Sequence, residues 1–316
     1  MRPLQLGKLP IGVLNRTVLK MTGAPSKMVF TPAKAGIDFA AVRVGRMYMI
    51  VSADPITGVV EDIGRYAMCV SANDVATSGC RPEFAESVVL LPEGSDERYV
   101  EGIARQMHLE ARRRGISIVG GHTEVTPGLA RPIVVVTAFG FAQRYVSSAD
   151  ARPGDVLMVT KTAGLEGTAV LTGARRLLSR ISIVEEAAAA YRTGFVHAMH
   201  DCTEGGVIGA AFEMSLASGL GFLLRRGDVP VSRRTRDICS RLRLDPLKLI
   251  GSGALLLAVQ PGKEEAVSKA LLPICRAKAV GVFTRKGRAL VWPDGRRQRI
   301  LSAPEDELWR ASARQR

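Results

Sequence analysis

Five short stretches place an acid beside glycine, serine or alanine, the company that phosphate chemistry keeps. Asp38 lies in Ala35-Gly36-Ile37-Asp38-Phe39-Ala40-Ala41, Asp54 in Ser52-Ala53-Asp54-Pro55, and Asp74 in Ser71-Ala72-Asn73-Asp74. Glu124 closes Gly120-Gly121-His122-Thr123-Glu124, and Asp201 opens Asp201-Cys202-Thr203-Glu204-Gly205-Gly206. Mg²⁺ takes hard oxygen ligands, commonly one or two carboxylates plus substrate phosphates. Small neighbours leave room for the phosphates and expose backbone N–H groups to them. Each acid alone reads more readily as a cap or turn residue than as a ligand. Five of them together favour a shared site.

Two other stretches join this set. Lys161-Thr162-Ala163-Gly164-Leu165-Glu166-Gly167-Thr168 stands between an expected strand and an expected helix, where a lysine and free amides suit an anion. The same spacing serves an ordinary strand–helix connection. His122, next to two glycines, suits substrate contact or proton transfer. His197, His200 and Cys202 offer a zinc reading, but their spacing is loose and no second cluster completes a tetrahedron. The chain lacks GxxxxGK[ST], a GxGxxG after a strand, and GxSxG, which argues against P-loop, dinucleotide-binding and α/β-hydrolase chemistry.

Alternating elements must hold these residues. Periodicity predicts strands at Arg46–Ser52, Phe84–Leu91, Ile116–Val119, Pro132–Phe141, Val156–Thr160, Leu249–Val259 and Lys278–Phe283. It predicts helices at Glu61–Ser78, Ser95–Arg114, Thr168–Leu178, Val184–Ala198, Val207–Ser218 and Lys263–Leu272. Turn residues at Ser147–Asp155 mark a break. The expected domains are therefore residues 1–150 and 151–316, both α/β. At 316 residues, 47% hydrophobic and 23% charged, the chain has ample core for two domains. The longest charge-free apolar stretches, such as Pro132–Gln143, fall short of a bilayer span, so a cytoplasmic protein is expected. Five cysteines without CxxC spacing argue against a disulfide framework.

The net charge of +14 is uneven: residues 1–150 carry 17 basic and 14 acidic side chains, residues 151–316 carry 27 and 16. No aromatics are interleaved with those arginines to stack bases, so nucleic acid is not the expected partner.

As an ordered set, Ser52–Gly58, Ala72–Pro82, Val119–Val125, Lys161–Gly167, His200–Val207 and Gly251–Ala254 resemble the AIR synthase (PurM-like) superfamily, and within it the HypE branch of hydrogenase-maturation proteins. The resemblance implies a mixed α/β fold of two domains, with the N-terminal sheets of two copies pairing into a barrel-like homodimer. It implies ATP and Mg²⁺, with Asp38, Asp54 and Asp74 as metal carboxylates. Asn73, Gly120 and Gly121 would neighbour the nucleotide, joined by Lys161, Gly164, Gly167 and Thr203. His122, Glu124 and Asp201 would be the catalytic groups. The implied chemistry is phosphorylation of an amide, carbonyl or carbamoyl oxygen so that it leaves as phosphate. Two departures stand out. The branch carries its substrate on a C-terminal cysteine, whereas this sequence ends Ala313-Arg314-Gln315-Arg316. Phe39 is inserted after Asp38, where the family has Gly-x-Asp-Ala-Ala. A non-catalytic dimeric module that docks protein or RNA is the alternative, with AIR synthase or thiamine-monophosphate kinase activity as a second.

Overall fold

The protein is described as a computed structural model covering Leu4 and residues 7–313. After a short helix α1 (Ile11–Arg16), the first half builds a sheet from β1 (Val29–Thr31), β2 (Ala40–Val44), β3 (Met47–Ile56), β4 (Phe84–Leu91), β5 (Ser117–Val125) and β6 (Ile133–Ala142). Helix α2 (Ile63–Ala76) connects β3 to β4, and α3 (Glu97–Arg114) connects β4 to β5. The sheet order is β1-β2-β3-β6-β4-β5. Only β4 and β5 run parallel, as their helical crossover requires. Strand β6 alternates buried and half-buried residues. At the free edge, β5 is exposed along its whole length.

The second half adds α4 (Leu165–Thr172), α5 (Val184–Arg192), α6 (Gly206–Ser218), α7 (Arg233–Leu242), α8 (Glu264–Leu271) and α9 (Glu307–Ala313). Its strands are β7 (Val156–Thr160), β8 (Val196–Asp201), β9 (Gly221–Arg225), β10 (Leu255–Val259), β11 (Ala277–Thr284), β12 (Arg288–Val291) and β13 (Arg297–Arg299), in the order β13-β12-β9-β11-β7-β10-β8. Strand β10 is buried at every position, which fits an unbroken apolar run covered on both faces. Among the described residues, no helix is long and apolar enough to cross a membrane.

One apolar cluster joins the two halves: Ile63, Met68 and Ala72 of α2 share it with Val184 and Ala187 of α5 and Leu255 and Leu257 of β10. Helix α2 can serve both sides because it is buried everywhere except Arg65. Helix α3 is instead amphipathic, burying Ile103, Met107 and Ala111. It starts on Asp96, whose carboxylate accepts from the Tyr99 N–H at 2.8 Å, and ends on Gly115 in the left-handed region. Polar clamps reinforce the junction. Arg175 forks onto Asp62 at 2.6 and 2.7 Å.

Two expectations shift here. The predicted helix Val184–Ala198 stops at Arg192; Gly194 turns the chain at a φ of 74°, and Val196–Asp201 pairs with β10 as a strand. That pairing buries Val196, Ala198 and Met199, so tertiary packing overrides the helical pattern. The predicted helix Thr168–Leu178 begins earlier and stops at Gly173, with a 3₁₀ turn at Arg175–Arg180.

Candidate active site

A cavity of about 1010 Å³ opens where the two halves meet, and acids from both line it. Asp54 stands near the end of β3, and Ser52, two residues earlier, shares its face. Asp74 lies two residues before the end of α2. Asp38 precedes β2, and Asp201 is the last residue of β8. The turn after Asp201 reaches α6 through Gly205 and Gly206, at φ of 80° and 61°. A Cβ on Gly206 would sit 2.6 Å from the Leu247 carbonyl oxygen, so only glycine fits this approach. The inserted Phe39 turns into the core beside Tyr145, with centroids 5.9 Å apart, and Asp38 still lines the cavity.

The acids are too close to ionise independently. Burial, then the charges of Asp54, Asp201 and Asp38, hold the Asp74 carboxyl well above the usual carboxylate range. Ser52 Oγ lies 2.8 Å from both the Asp38 carbonyl oxygen and Asp74 Oδ2. Its single hydrogen serves one of them, so a proton on Asp74 satisfies the arrangement. Burial raises Asp38 to about 6 and Asp201 to about 8, with neighbouring acids adding to the effect.

A cationic pair balances them. His200 Nδ1 donates to the Asp201 carbonyl oxygen at 2.8 Å, while Nε2 lies 3.1 Å from Asp38 Oδ1 and 3.3 Å from Glu213 Oε2. Burial opposes a charged imidazole, but Asp38, Glu213 and Asp201 overcome it and raise His200 to about 9. Burial likewise disfavours ionised Glu213, yet Lys8 and His200 bring it down to about 2. Lys8 Nζ stands 3.2 Å from Glu213 Oε1.

Among the described residues, four buried side-chain oxygens lack a hydrogen bond, and all four belong to this cavity's walls: Asp38 Oδ2, Asp201 Oδ2, Glu166 Oε2 and Ser252 Oγ. Ligand atoms of Asp38, His200 and Asp201 lie within 4.8 Å of one another. His200 Nδ1 is committed to the Asp201 carbonyl oxygen, and Nε2 faces the Asp38 and Glu213 carboxylates without a formed hydrogen bond, so the carboxylate oxygens are the hard ligand atoms on offer. They fit a hard divalent cation such as Mg²⁺. The zinc reading fails on geometry. His197 and His200 fall on opposite faces of β8, and His197 Nδ1 binds Asp155 Oδ1 at 2.9 Å.

Of the sequence candidates, Asp38, Asp54, Asp74, Asp201 and Thr203 meet at this cavity. Gly164 and Gly167 shape it without lining it. A Cβ on Gly167 would meet Leu249 at 2.4 Å, so these glycines let α4 close on the 249–252 segment and bring Glu166 to the wall.

Six candidates are placed elsewhere. Asn73 is fully buried; its Nδ2 donates to the Ile181 carbonyl oxygen at 2.8 Å and its Oδ1 accepts from the Ile183 N–H at 2.9 Å. It is a clamp between the halves, with no group turned to a nucleotide. Asn73→Ala leaves two buried backbone groups unpaired and is expected to cost about 2–4 kcal/mol of stability, read from urea unfolding. Lys161 Nζ faces a different cavity, bound to Glu186 at 2.5 Å and donating to the carbonyl oxygens of Arg180 and Ser182. Gly120, Gly121, His122 and Glu124 lie on the exposed edge strand β5, where His122 Nε2 pairs with Glu124 Oε2 at 3.0 Å. A Cβ on Gly121 would meet the Ser87 carbonyl oxygen at 2.0 Å, so that glycine serves the β4 contact. None of these four lines the cavity of its own chain.

Lys8, Glu166 and Glu213 are additions that sequence reasoning did not place, and His200, read there only as a zinc candidate, stands instead between the acids. Glu213 had a signal: it is a lone acid between Phe212 and Met214 in an otherwise apolar helix, as Asp74 is in α2.

Sequence models of the AIR synthase related protein family match its N-terminal domain over residues 36–142 and its C-terminal domain over residues 152–292. The chain belongs to that family. It is 31% identical to the carbamoyl dehydratase HypE of Rhodobacter capsulatus over 233 residues, covering 70% of this chain and 67% of the relative. Among solved structures it superposes on the hydrogenase maturation protein HypE in complex with ATP, with a TM-score of 0.73 and 23% identity over 96% of this chain and 98% of the other. It also superposes on AaThiL complexed with AMPPCP and TMP, with a TM-score of 0.75 and 19% identity over 96% and 99%. Both likenesses establish the fold.

Proposed function

We propose that the chain is an ATP-dependent, Mg²⁺-requiring enzyme that phosphorylates an amide, carbonyl or carbamoyl oxygen. One observation carries this reading: aspartates from four separate stretches of the chain and both halves converge on one cavity, two of them with orphaned buried oxygens. Asp38, Asp54, Asp74 and Asp201 would hold the cation, which supplies charge neutralisation to the triphosphate. The names of the relative and the two superposed structures, a carbamoyl dehydratase and complexes with ATP and AMPPCP, support both the nucleotide and the class of acceptor.

The chain's own residues then have distinct tasks. Lys8 and His200 hold the acid cluster together between turnovers and offset its charge. Glu166, on the second-half wall, is raised by burial to about 7 and has a free oxygen, the condition for a general acid or base at neutral pH. Glu166→Gln is expected to lower kcat about 100-fold with the KM for ATP nearly unchanged, read from steady-state phosphate release. Edge strand β5, with Ile118, Val119 and Val125 exposed, is the surface on which a second copy would pair.

A screen of carbamoyl, amide and phosphate acceptors for ATP- and Mg²⁺-dependent phosphate release tests the reading. Acceptor-stimulated release that vanishes in Asp74→Ala supports it; release unaltered in that variant removes the site from the chemistry.

A further inference from the structure

A second cleft, of about 990 Å³, lies across the junction and shares no lining residue with the acidic cavity. Its charge is opposite: seven basic side chains face it against three acidic ones. All three acids are already engaged. Glu110 is shared by Arg65, Arg113 and Arg114, Glu186 is held by Lys161, and Glu185 is forked by Arg81 from outside the cleft. Among the described residues, the guanidinium groups of Arg180 and Arg276 make no hydrogen bond or ion pair, and Lys278 Nζ has only a 3.5 Å contact with Asp228 Oδ1.

Two local costs sit in this wall. Lys161 is one of three non-glycine residues, among those described, in the left-handed region, at a φ of 54°. Arg65 Nε lies 3.2 Å from Glu110 Oε2 but off the line of its N–H, leaving a buried donor without an acceptor. The start of α5 also opens here, since Ser182, Val184 and Glu185 line the cleft. The volume is that of a small-molecule site. Among the described residues no aromatic side chain lines it, so a ligand would be held by its charge and not by base stacking.

We propose that this cleft is a second ligand site, for a small, multiply charged, phosphate-bearing molecule bound without a metal ion. The acidic cavity needs a cation before it can accept phosphate; this cleft supplies its own positive charge. Arg180 and Arg276 reach the anion from the rim over a floor fixed by Lys161, Arg114 and Glu110.

Calorimetric titration of the full chain with inorganic pyrophosphate in EDTA tests this. The proposal expects saturable binding, weakened at least tenfold by Arg180→Ala with Arg276→Ala. Asp74→Asn, and a control pair on α7, Arg233→Ala with Arg234→Ala, should both leave it unchanged. Pyrophosphate should also slow maleimide labelling of Cys275, which lines the cleft and is the one cysteine not fully buried. No binding in EDTA would overturn the proposal. So would equal weakening by both arginine pairs, which indicates a diffuse field, or loss of binding in Asp74→Asn, which assigns the anion to the acidic cavity.

Discussion

Asp201→Asn is expected to slow Mg²⁺-ATP-dependent phosphate release by about 100-fold or more, and yet to raise the melting temperature of the metal-free protein at pH 8. The two effects have one origin. Asp201 is fully buried, lies against Asp38 and His200, and leaves one oxygen without a hydrogen bond. Burial and the charge of Asp38 raise its carboxyl from 3.8 to about 8. Each unit of such a shift is about 1.4 kcal/mol of preference for the neutral form. An amide removes the charge that the fold resists and, with it, the ligand that a cation needs. Parallel calorimetry and phosphate-release assays on one preparation read both. A variant that melts lower and turns over normally would show that Asp201 serves the fold alone.

The second large effect is on pH. In EDTA, stability should be greatest near pH 5 and fall steadily toward pH 9, the reverse of what paired carboxylates normally give. Folded Asp38 and Asp201 titrate near 6 and 8 against 3.8 for the free side chain, so between about pH 4 and 8 the folded state binds more protons than the unfolded one. Stability therefore declines as pH rises through that window. His200 works in the same direction: raised from 6.5 to about 9, its contribution is complete below 6.5 and is lost as pH climbs through 9. Glu213, depressed from 4.5 to about 2, contributes above 4.5 and loses that contribution only as pH falls through 2. Added Mg²⁺ should flatten the alkaline decline, because a cation can replace the protons on the acids. Melting curves from pH 4 to 9, with and without Mg²⁺, decide it. Metal-free stability that rises from pH 5 to 8 would contradict the assigned burial of these acids.

Much of the scaffold is legible in local pattern. Phe84–Leu91 and Val156–Thr160 coincide with β4 and β7 because each apolar run is bounded by turn residues and paired on both sides. Strand β8 was hidden because Val184–Ala198 is alanine-rich and reads as continuous helix; only pairing with β10 distinguishes the two. The short strands β12 and β13 at one end of the second sheet, and the arginine-rich α7, carry too little apolar pattern to declare themselves. At the site, acids flanked by small residues were visible as candidates, and five of the thirteen candidate residues meet in one cavity. Asn73 and Lys161 looked the same in sequence, but their partners at Ile181–Ile183 and Glu186 lie more than twenty residues away in the chain. Long-range partners of that kind leave no local mark. Lys8 was invisible for the same reason: its partner Glu213 is 205 positions distant.

The central claim is that a cation and a triphosphate meet between the two halves, on the four aspartates. Anomalous diffraction from crystals grown with Mn²⁺ and a non-hydrolysable ATP analogue tests it most directly. The account predicts manganese peaks within bonding distance of oxygens from Asp38, Asp54, Asp74 and Asp201, with the analogue's phosphates on the same ions. Phosphates seated in the arginine-lined cleft, with no manganese at the aspartates, would contradict it.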